Sequence, residues 1–185
     1  MRKAAFIDRD GVINEDRQYV FRSADFELIP GSIDALRALR AAGFLLVVIT
    51  NQSGIARGLF GEKDYQALEA YMRERLSQAG VTLDCVQYCP HLPDAPLPEY
   101  RLDCNCRKPR AGMILSAAEQ LQIDPARSIL IGDRKADVEA GRAAGVGRCF
   151  LVRSGQALSA SDALLADGVY ADLGQCVGEL LRSAG

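Results

Sequence analysis

The stretch Ala4-Ala5-Phe6-Ile7-Asp8-Arg9-Asp10-Gly11 passes from four apolar residues directly to two aspartates. The apolar run predicts a buried strand, because a parallel strand covered on both faces shows an unbroken hydrophobic sequence. Asp8 and Asp10 follow it, at the strand end where ligands of open parallel sheets collect. Two like charges so close need a cation or a shared proton, which predicts a hard-metal site or an acid and base pair. A solvated aspartate turn is the alternative.

Strands and helices alternate along the rest of the chain. Further strands are predicted at 44–49, 81–88, 128–131, 149–152 and around Val169 and Tyr170, and helices at 32–42, 62–79, 113–121, 136–144 and 173–181. Ser32 is expected to cap the first helix. This alternation predicts the α/β class, with a doubly wound, Rossmann-like parallel sheet and right-handed crossovers. We expect a single domain over residues 1–185.

The charge of the chain is close to balanced, with 22 basic and 24 acidic residues. Nothing therefore favours broad attraction to nucleic acid or to an anionic membrane, and neither is expected as a partner. A small-molecule partner and a monomer are expected. The first residues run into a short strand without a secretory signal, and no apolar stretch is long enough to cross a membrane. We therefore expect a cytoplasmic protein whose six cysteines are reduced.

Three predicted strands end in polar groups of complementary chemistry. Asp8 and Asp10 follow the first strand, Thr50-Asn51-Gln52-Ser53 follow the second, and Asp133-Arg134 with Asp137 follow a later one. Arg107-Lys108-Pro109 adds cations before a helix. Carboxylates gather Mg²⁺, whereas Thr, Asn and Lys hold phosphate oxygens, so the set favours phosphoryl transfer over glycoside or peptide hydrolysis. No GxxxxGK[ST] loop is present, which argues against a nucleotide-dependent kinase.

The segment 89–106 contains four potential metal ligands, Cys89, His91, Cys104 and Cys106. Three thiols and one imidazole predict a closed tetrahedral Zn²⁺ site of the structural kind. The alternative is a reduced, metal-free loop, but four prolines leave the segment few hydrogen bonds of its own. Because His91 is the only histidine, acid and base roles would fall to carboxylates. No role is assigned to Cys85, Cys149 or Cys176, which are expected to be buried apolar side chains.

The chain resembles the haloacid-dehalogenase superfamily of phosphatases, through Asp8-Arg9-Asp10-Gly11-Val12, Thr50-Asn51-Gln52, Lys108-Pro109 and Gly132-Asp133. The resemblance implies that Asp8 is a nucleophile that forms an aspartyl-phosphate and that Asp10 is the general acid and base. It also implies that Thr50 and Lys108 bind the phosphate. Mg²⁺ would be held by Asp8, the backbone carbonyl of Asp10, and Asp133. For Asp137 a capping or orienting role is favoured over metal ligation, and Arg9 is balanced between substrate contact and surface.

The zinc-loop pattern is similar to the branch that contains the D-glycero-D-manno-heptose 1,7-bisphosphate 7-phosphatases and the histidinol-phosphate phosphatases. Segments 50–58 and 104–109 favour the heptose group, although Gly132-Asp133-Arg134 is typical of the histidinol-phosphate group. This resemblance implies removal of the 7-phosphate in heptose metabolism, toward lipopolysaccharide or another heptosylated product. The implied substrate contacts are Asp16, Arg17, Gln18, Tyr19, Thr50, Asn51, Gln52, Ser53, Arg107, Lys108 and Arg134.

The segment between Asp10 and Thr50 leaves no room for a large cap domain, so a minimal cap is expected. Short flaps at 16–26 and the zinc loop would then supply specificity. A different class of protein, a zinc-stabilised interaction module without catalysis, would need clustered basic and aromatic residues that the sequence lacks. A phosphomutase is disfavoured because a minimal cap excludes water poorly.

Overall fold

The computed structural model describes residues 1–183, which contain a six-stranded parallel sheet. Its strands are β1 (Ala4–Ile7), β2 (Leu45–Asn51), β3 (Cys85–Cys89), β4 (Ile129–Gly132), β5 (Arg148–Val152) and β6 (Gly168–Tyr170). Their order across the sheet is β3-β2-β1-β4-β5-β6. The predicted doubly wound α/β fold is confirmed. The last two residues of the predicted 1–185 domain lie outside the described residues.

Seven helices connect and cover these strands in the described part of the chain. They are α1 (Ser32–Ala41), α2 (Ser53–Ala56), α3 (Glu62–Gln78), α4 (Gly112–Leu121), α5 (Lys135–Ala143), α6 (Ala160–Ala163) and α7 (Leu173–Arg182). Single 3-10 turns lie at Ser23–Asp25, Pro98–Tyr100 and Pro125–Arg127. Within residues 1–183 no helix is both long and apolar enough to cross a bilayer.

The central strands of the sheet are buried on both faces, as their apolar residues require. On one face the strand side chains of Ile7, Val48 and Ile131 pack with α1, α3 and α7. On the other face Phe6, Val47 and Leu130 pack with α4 and α5. Successive residues of a strand point to opposite faces, so a strand enclosed by two helical layers must be apolar at every position.

The strand order reverses between β1 and β4, which are adjacent in the sheet although β2 and β3 separate them in the chain. This reversal leaves a crevice outside the carboxyl ends of the two strands, where α/β proteins bind ligands. Asp8 lies there immediately after β1, and its backbone N–H donates to the carbonyl of Ile131 at 3.0 Å. The fold therefore places the first aspartate at the topological switch point.

Two local predictions are wrong. Ser32 was expected to cap the first helix, but α1 already begins at Ser32, and the residue before it, Gly31, has a left-handed backbone conformation. The Ser32 hydroxyl makes no hydrogen bond among the described residues. Strand β3 starts at Cys85 rather than at Val81. Its entry to the sheet is fixed by Asp84, whose carboxylate accepts from the Leu46 N–H at 2.8 Å, so the preceding residues pack in the core without joining the ladder.

Candidate active site and metal-binding loop

Acidic and basic side chains from the ends of β1 and β4, from α5 and from the loop before α4 meet beside β1. The ammonium group of Lys108 lies 2.9 Å from Oδ1 of Asp8 and 2.6 Å from Oδ1 of Asp137, and it donates to the carbonyl of Ile49 at 2.9 Å. Asp8, Asp133 and Asp137 have carboxylate oxygens within 4.8 Å of one another. The structure thus brings together Asp8, Lys108 and Asp133, which the sequence predicted at one site from distant segments.

Burial and charge change the titration of this cluster. Burial raises the pKa of Asp8 to about 6, with Lys108 opposing the shift. Burial raises the pKa of Asp133 to about 8, and the nearby Asp8 carboxylate adds to the shift. Burial would lower the pKa of Lys108, but Asp137 and Asp8 raise it overall, so Lys108 stays charged. Perturbed carboxyls of this kind are typical of catalytic and metal-binding sites.

The same cluster has the chemistry of a hard divalent cation site. Lys108 pairs with Asp8 and Asp137, and Asp133 has only a 3.7 Å ion pair with the exposed Arg134, so the three buried carboxylates carry excess negative charge in a poorly solvated place. Oδ1 of Asp133 is buried without a hydrogen-bond partner among residues 1–183. A buried oxygen of this kind is normally satisfied, and a cation with a preference for carboxylate oxygen would satisfy it. The residues therefore fit Mg²⁺.

Asp137 has the orienting contacts that were favoured for it. Its Oδ2 accepts from the backbone N–H of Arg134 at 2.9 Å, at the start of α5, while Oδ1 pairs with Lys108. Through these two bonds the carboxylate fixes both the loop after β4 and the lysine. Its oxygens are also close enough to those of Asp8 and Asp133 to belong to the acidic cluster.

Asp10 is held in place by three neighbouring side chains. Its carboxylate accepts from Arg9 at 2.7–3.1 Å, from Asn14 Nδ2 at 3.0 Å and from Gln52 Nε2 at 3.1 Å. The expectation that Arg9 contacts substrate or lies on the surface is wrong, because its side chain is only 1% exposed and pairs with Asp10. Sequence reasoning did not assign Asn14 to the site.

The polar residues at the end of β2 and directly after it make different contacts in the site. Thr50 accepts from Gln52 Nε2 at 2.8 Å, so Gln52 joins Thr50 to Asp10. Asn51 exchanges two hydrogen bonds of 3.1 Å with the backbone N–H and carbonyl of Lys108. This pair fixes the main chain at Lys108 and so sets the path of its side chain toward Asp8.

A cavity of about 350 Å³ opens above the cluster. It is lined by Asp8, Asp10, Asp16, Gln18, Tyr19, Thr50, Asn51, Gln52, Ser53, Arg107, Lys108, Arg134, Ala136, Asp137 and Gln156. Among the expected substrate contacts, Arg17 is absent from this lining and instead pairs with Glu15 and Glu27 at the surface. Asp133 lies behind the lining as a fully buried side chain.

The loop 153–156 after β5 belongs to the site and was missed in the sequence. The backbone N–H of Gln156 donates to Asp133 at 2.9 Å, and its side chain bonds Asp16, which also pairs with Arg134 at 3.3 Å. A Cβ atom on Gly155 would lie 2.0 Å from Oδ2 of Asp133. In the sequence, Gly155 within Ser-Gly-Gln is the one feature that could have indicated this loop. Such a sequence is typical of any turn, and only the order of the strands shows that it lies beside Asp133.

The predicted zinc ligands also converge. Cys89, His91, Cys104 and Cys106 have ligand atoms within 4.8 Å of one another. Their sulfurs lie 3.0–3.5 Å apart, and Nδ1 of His91 is 3.4 Å from Cys106 and 3.8 Å from Cys89. A disulfide needs about 2.0 Å, whereas tetrahedral Zn–S bonds of about 2.3 Å separate ligands by roughly 3.8 Å. The four side chains fit a structural zinc ion better than a disulfide.

The cysteine and histidine cluster is joined to the cavity through Arg107. Arg107 follows Cys106 directly and donates from Nη1 to the carbonyl of His91 at 3.2 Å, and Lys108 comes next in the chain. The 89–106 loop therefore determines where two cations of the cavity lie without contributing a metal ligand to it. Cys85, Cys149 and Cys176 are buried and are not members of this ligand group.

Comparisons with known proteins agree with this geometry. A family model described as "HAD-hyrolase-like" matches residues 105–176. The chain is 47% identical over 177 residues to the D-glycero-beta-D-manno-heptose-1,7-bisphosphate 7-phosphatase of Escherichia coli K12, covering 94% of this chain and 93% of that one. It is 44% identical to the alpha-heptose counterpart from Photorhabdus laumondii, over 91% of this chain and 93% of that protein.

A solved structure of similar shape is D,D-heptose 1,7-bisphosphate phosphatase from B. bronchiseptica, complexed with magnesium and phosphate. The TM-score is 0.82 at 33% identity, covering 98% of this chain and 99% of that one. The corresponding enzyme from Burkholderia thailandensis gives a TM-score of 0.68 at 30% identity, over 97% and 99% of the two chains. This chain belongs to the haloacid-dehalogenase-like phosphatases, in the family of the heptose-1,7-bisphosphate 7-phosphatases.

Proposed function

We propose that the chain is a Mg²⁺-dependent phosphatase that removes the 7-phosphate of D-glycero-D-manno-heptose 1,7-bisphosphate. The observation that carries this proposal is the cavity whose inner end is the Asp8, Lys108 and Asp133 cluster and whose lining also holds Arg107 and Arg134. A bisphosphate needs cationic groups at two places, and guanidinium groups suit a phosphate that does not react. Similarity to heptose-bisphosphate phosphatases supports the same substrate.

In the first half of the reaction, an oxygen of Asp8 attacks the phosphorus of the 7-phosphate. The new Asp8–phosphorus bond forms as the bond from phosphorus to the sugar oxygen breaks, and Asp10 gives its proton to that oxygen. Oδ1 of Asp8 accepts a hydrogen bond from the backbone N–H of Arg9 at 2.8 Å and pairs with Lys108. Oδ2 of Asp8 is therefore the oxygen left for the attack. Lys108 and Thr50 bind the oxygens of the transferred group.

In the second half, water attacks the phosphorus of the aspartyl-phosphate. Asp10 takes the proton of this water, the bond between Asp8 and phosphorus breaks, and inorganic phosphate is released with both carboxyls restored. One group acts first as acid and then as base, so no histidine is needed. The single histidine, His91, can then serve the cysteine loop.

We infer that Asp8, Asp133 and the backbone carbonyl of Asp10 hold Mg²⁺. When bound, Mg²⁺ neutralises negative charge between the carboxylates and the phosphate and acts as a Lewis acid. We further propose that Cys89, His91, Cys104 and Cys106 hold Zn²⁺ as a structural ion, and that the chain works as a single-domain monomer. Asp16, Gln18, Tyr19 and Ser53 would contact the sugar, because they line the cavity beside the reacting end.

The proposal is tested by phosphate release from both anomers of heptose 1,7-bisphosphate, with histidinol phosphate as the competing substrate. We expect Mg²⁺-dependent release and a kcat/KM for one heptose anomer at least about tenfold above that for histidinol phosphate. A higher kcat/KM for histidinol phosphate would reverse the assignment. No release from any phosphorylated sugar would exclude the function.

The nucleophile is tested in the same assay. Asp8→Asn should abolish release, whereas Asp34→Asn, an exposed change on α1, should retain it. Rapid acid quenching of the native enzyme during turnover should add the mass of a phosphoryl group to the peptide that contains Asp8. Phosphorylation of another peptide would assign the nucleophile elsewhere.

A further inference from the structure

Arg9 has the largest fully buried side chain in the described part of the protein. Its Nε and Nη2 atoms donate to both oxygens of Asp10 at 2.7–3.1 Å. Nη1 is buried and has no hydrogen-bond partner among residues 1–183. Burying a guanidinium costs free energy unless it is paired and hydrogen-bonded. Asp10 is the carboxylate that pairs with Arg9, so the reason for the burial is sought in Asp10.

The same guanidinium reaches the flap that borders the cavity. Nη2 also donates to the carbonyl of Val20 at 2.8 Å. Val20 directly follows Gln18 and Tyr19, which line the cavity. Their backbone φ angles, 59° and 58°, lie in the left-handed region. Non-glycine residues adopt this conformation uncommonly and at some cost in backbone strain. Arg9 therefore connects the backbone of the flap to the carboxylate of Asp10.

An aromatic layer supports Arg9. The guanidinium carbon lies 5.8 Å from the centre of the Tyr65 ring, within cation–π range. Phe21, the next residue of the flap, stacks on Phe60 with ring centres 4.9 Å apart. Tyr65 and Phe60 belong to one buried cluster against which Phe21 packs. The flap and the guanidinium thus rest on the same support and have little freedom to move independently.

We propose that Arg9 is a positioning residue for proton transfer, which fixes the plane of the Asp10 carboxylate and makes that position depend on the flap through Val20. The inference rests on the proposed function, because it concerns the acid step of that reaction. A planar guanidinium bound to both carboxylate oxygens defines an orientation that a single ammonium contact does not. A general acid works only within hydrogen-bond reach of the oxygen it protonates.

The experiment separates loss of the acid step from general damage by changing the leaving group. Breaking the phosphorus–oxygen bond of an alkyl phosphate needs a proton on the departing oxygen, whereas p-nitrophenolate departs without one. We would measure kcat/KM, which reports the first phosphoryl transfer, for heptose 1,7-bisphosphate and for p-nitrophenyl phosphate. The variants are Arg9→Met and Arg9→Lys, each with its thermal midpoint recorded with Mg²⁺ present.

Arg9→Met is expected to lower kcat/KM for the heptose substrate at least about 30-fold and that for p-nitrophenyl phosphate less than about threefold. A positioned general acid contributes about 100- to 10,000-fold, so a misplaced one should lose a large part of that factor. Arg9→Lys should give the same selectivity with a smaller loss, and it decides the question if Arg9→Met does not fold. Tyr65→Phe removes a buried hydroxyl from the support beneath Arg9, and it should leave the ratio of the two kcat/KM values unchanged.

A double-mutant cycle completes the test. In an Asp10→Asn background the acid is already absent, so Arg9→Met should cost less than about threefold for the heptose substrate. Equal losses on both substrates, or the same loss in both backgrounds, would make Arg9 a structural residue and overturn the inference. If the native protein hydrolysed neither substrate, the proposed function itself would fail.

Discussion

Nζ of Lys108 lies 2.9 Å from Oδ1 of Asp8, with both side chains almost completely buried. The ammonium group also contacts Asp137, so one cation offsets two carboxylates. Removing one member of a buried ion pair leaves charge without a partner and typically costs about 3–5 kcal/mol. The lysine is therefore expected to support the folded state as well as the phosphate.

Lys108→Met should abolish turnover and lower the free energy of unfolding at pH 7.5 by about 3–5 kcal/mol without Mg²⁺. The loss should be smaller at pH 5.5, because burial raises the pKa of Asp8 to about 6 and the carboxyl can then take up a proton. Urea unfolding at both pH values checks this, with Lys135→Met, which removes an exposed lysine, as the control. Equal losses at both pH values would contradict the prediction.

Magnesium should stabilise the protein more as the pH rises. Burial raises the pKa of Asp8 from 3.8 to about 6 and that of Asp133 from 3.8 to about 8. The folded metal-free state thus keeps protons that the unfolded chain releases, and these carboxyls favour folding less as the pH rises from about 4 to about 8. Mg²⁺ binds the ionised carboxylates, so its binding must displace those protons.

The rise in thermal midpoint on adding Mg²⁺ should accordingly grow between pH 5.5 and pH 8.5. Differential scanning fluorimetry across a buffer series of constant ionic strength provides the measurement. Asp133→Asn should remove most of the Mg²⁺ effect at every pH. A rise in midpoint that does not vary with pH would be inconsistent with proton displacement at these carboxyls.

Gly155→Ala should weaken Mg²⁺ binding about 10- to 100-fold, the range found when groups that orient a metal ligand are altered. The added Cβ would lie 2.0 Å from Oδ2 of Asp133 and 2.7 Å from its Cγ, so the carboxylate would have to move. Titration calorimetry with Mg²⁺ measures the change. Gly178→Ala, in α7 with its nearest contacts at 3.8 Å, should bind Mg²⁺ as the native protein does.

Loss of zinc should reduce activity without loss of Mg²⁺ binding. Cys104→Ser is expected to lower the zinc content below one ion per chain and to reduce kcat/KM at least tenfold, because the loop that positions Arg107 and Lys108 loses its support. Atomic emission and Mg²⁺ calorimetry on the same sample test both statements. Cys85→Ala should retain zinc, since Cys85 is not in the ligand cluster. Full activity of zinc-free protein would refute the prediction.

The sequence predicted the fold well because the central strands are apolar along most of their length. Phe44 to Ile49 and Ile129 to Ile131 have no polar side that could face water, so burial on both faces and a parallel sheet follow. Element ends were less predictable. Cys85 begins β3 because Asp84 bonds the backbone of Leu46, a contact between segments that local periodicity does not contain.

The candidate site was predictable where a polar residue directly follows an apolar run of the sequence, as Asp8, Thr50 and Asp133 do. Gln156 and Asn14 could not be found this way, because their contacts with Asp133 and Asp10 depend on how loops fold back over the sheet. Arg9 was misread for a different reason. A lone arginine beside a turn is usually solvated, and only the position of Asp10 explains its burial.

Gln156 bonds Asp133 through its backbone and Asp16 through its side chain, and so it belongs to both the acidic cluster and the border of the cavity. Effects between two ligands on one protein are reciprocal. A sugar phosphate that draws Asp16 inward would raise the affinity for the cation. The cation would raise the affinity for the sugar phosphate by the same factor. The metal affinity of this enzyme would then be a property of the ternary complex.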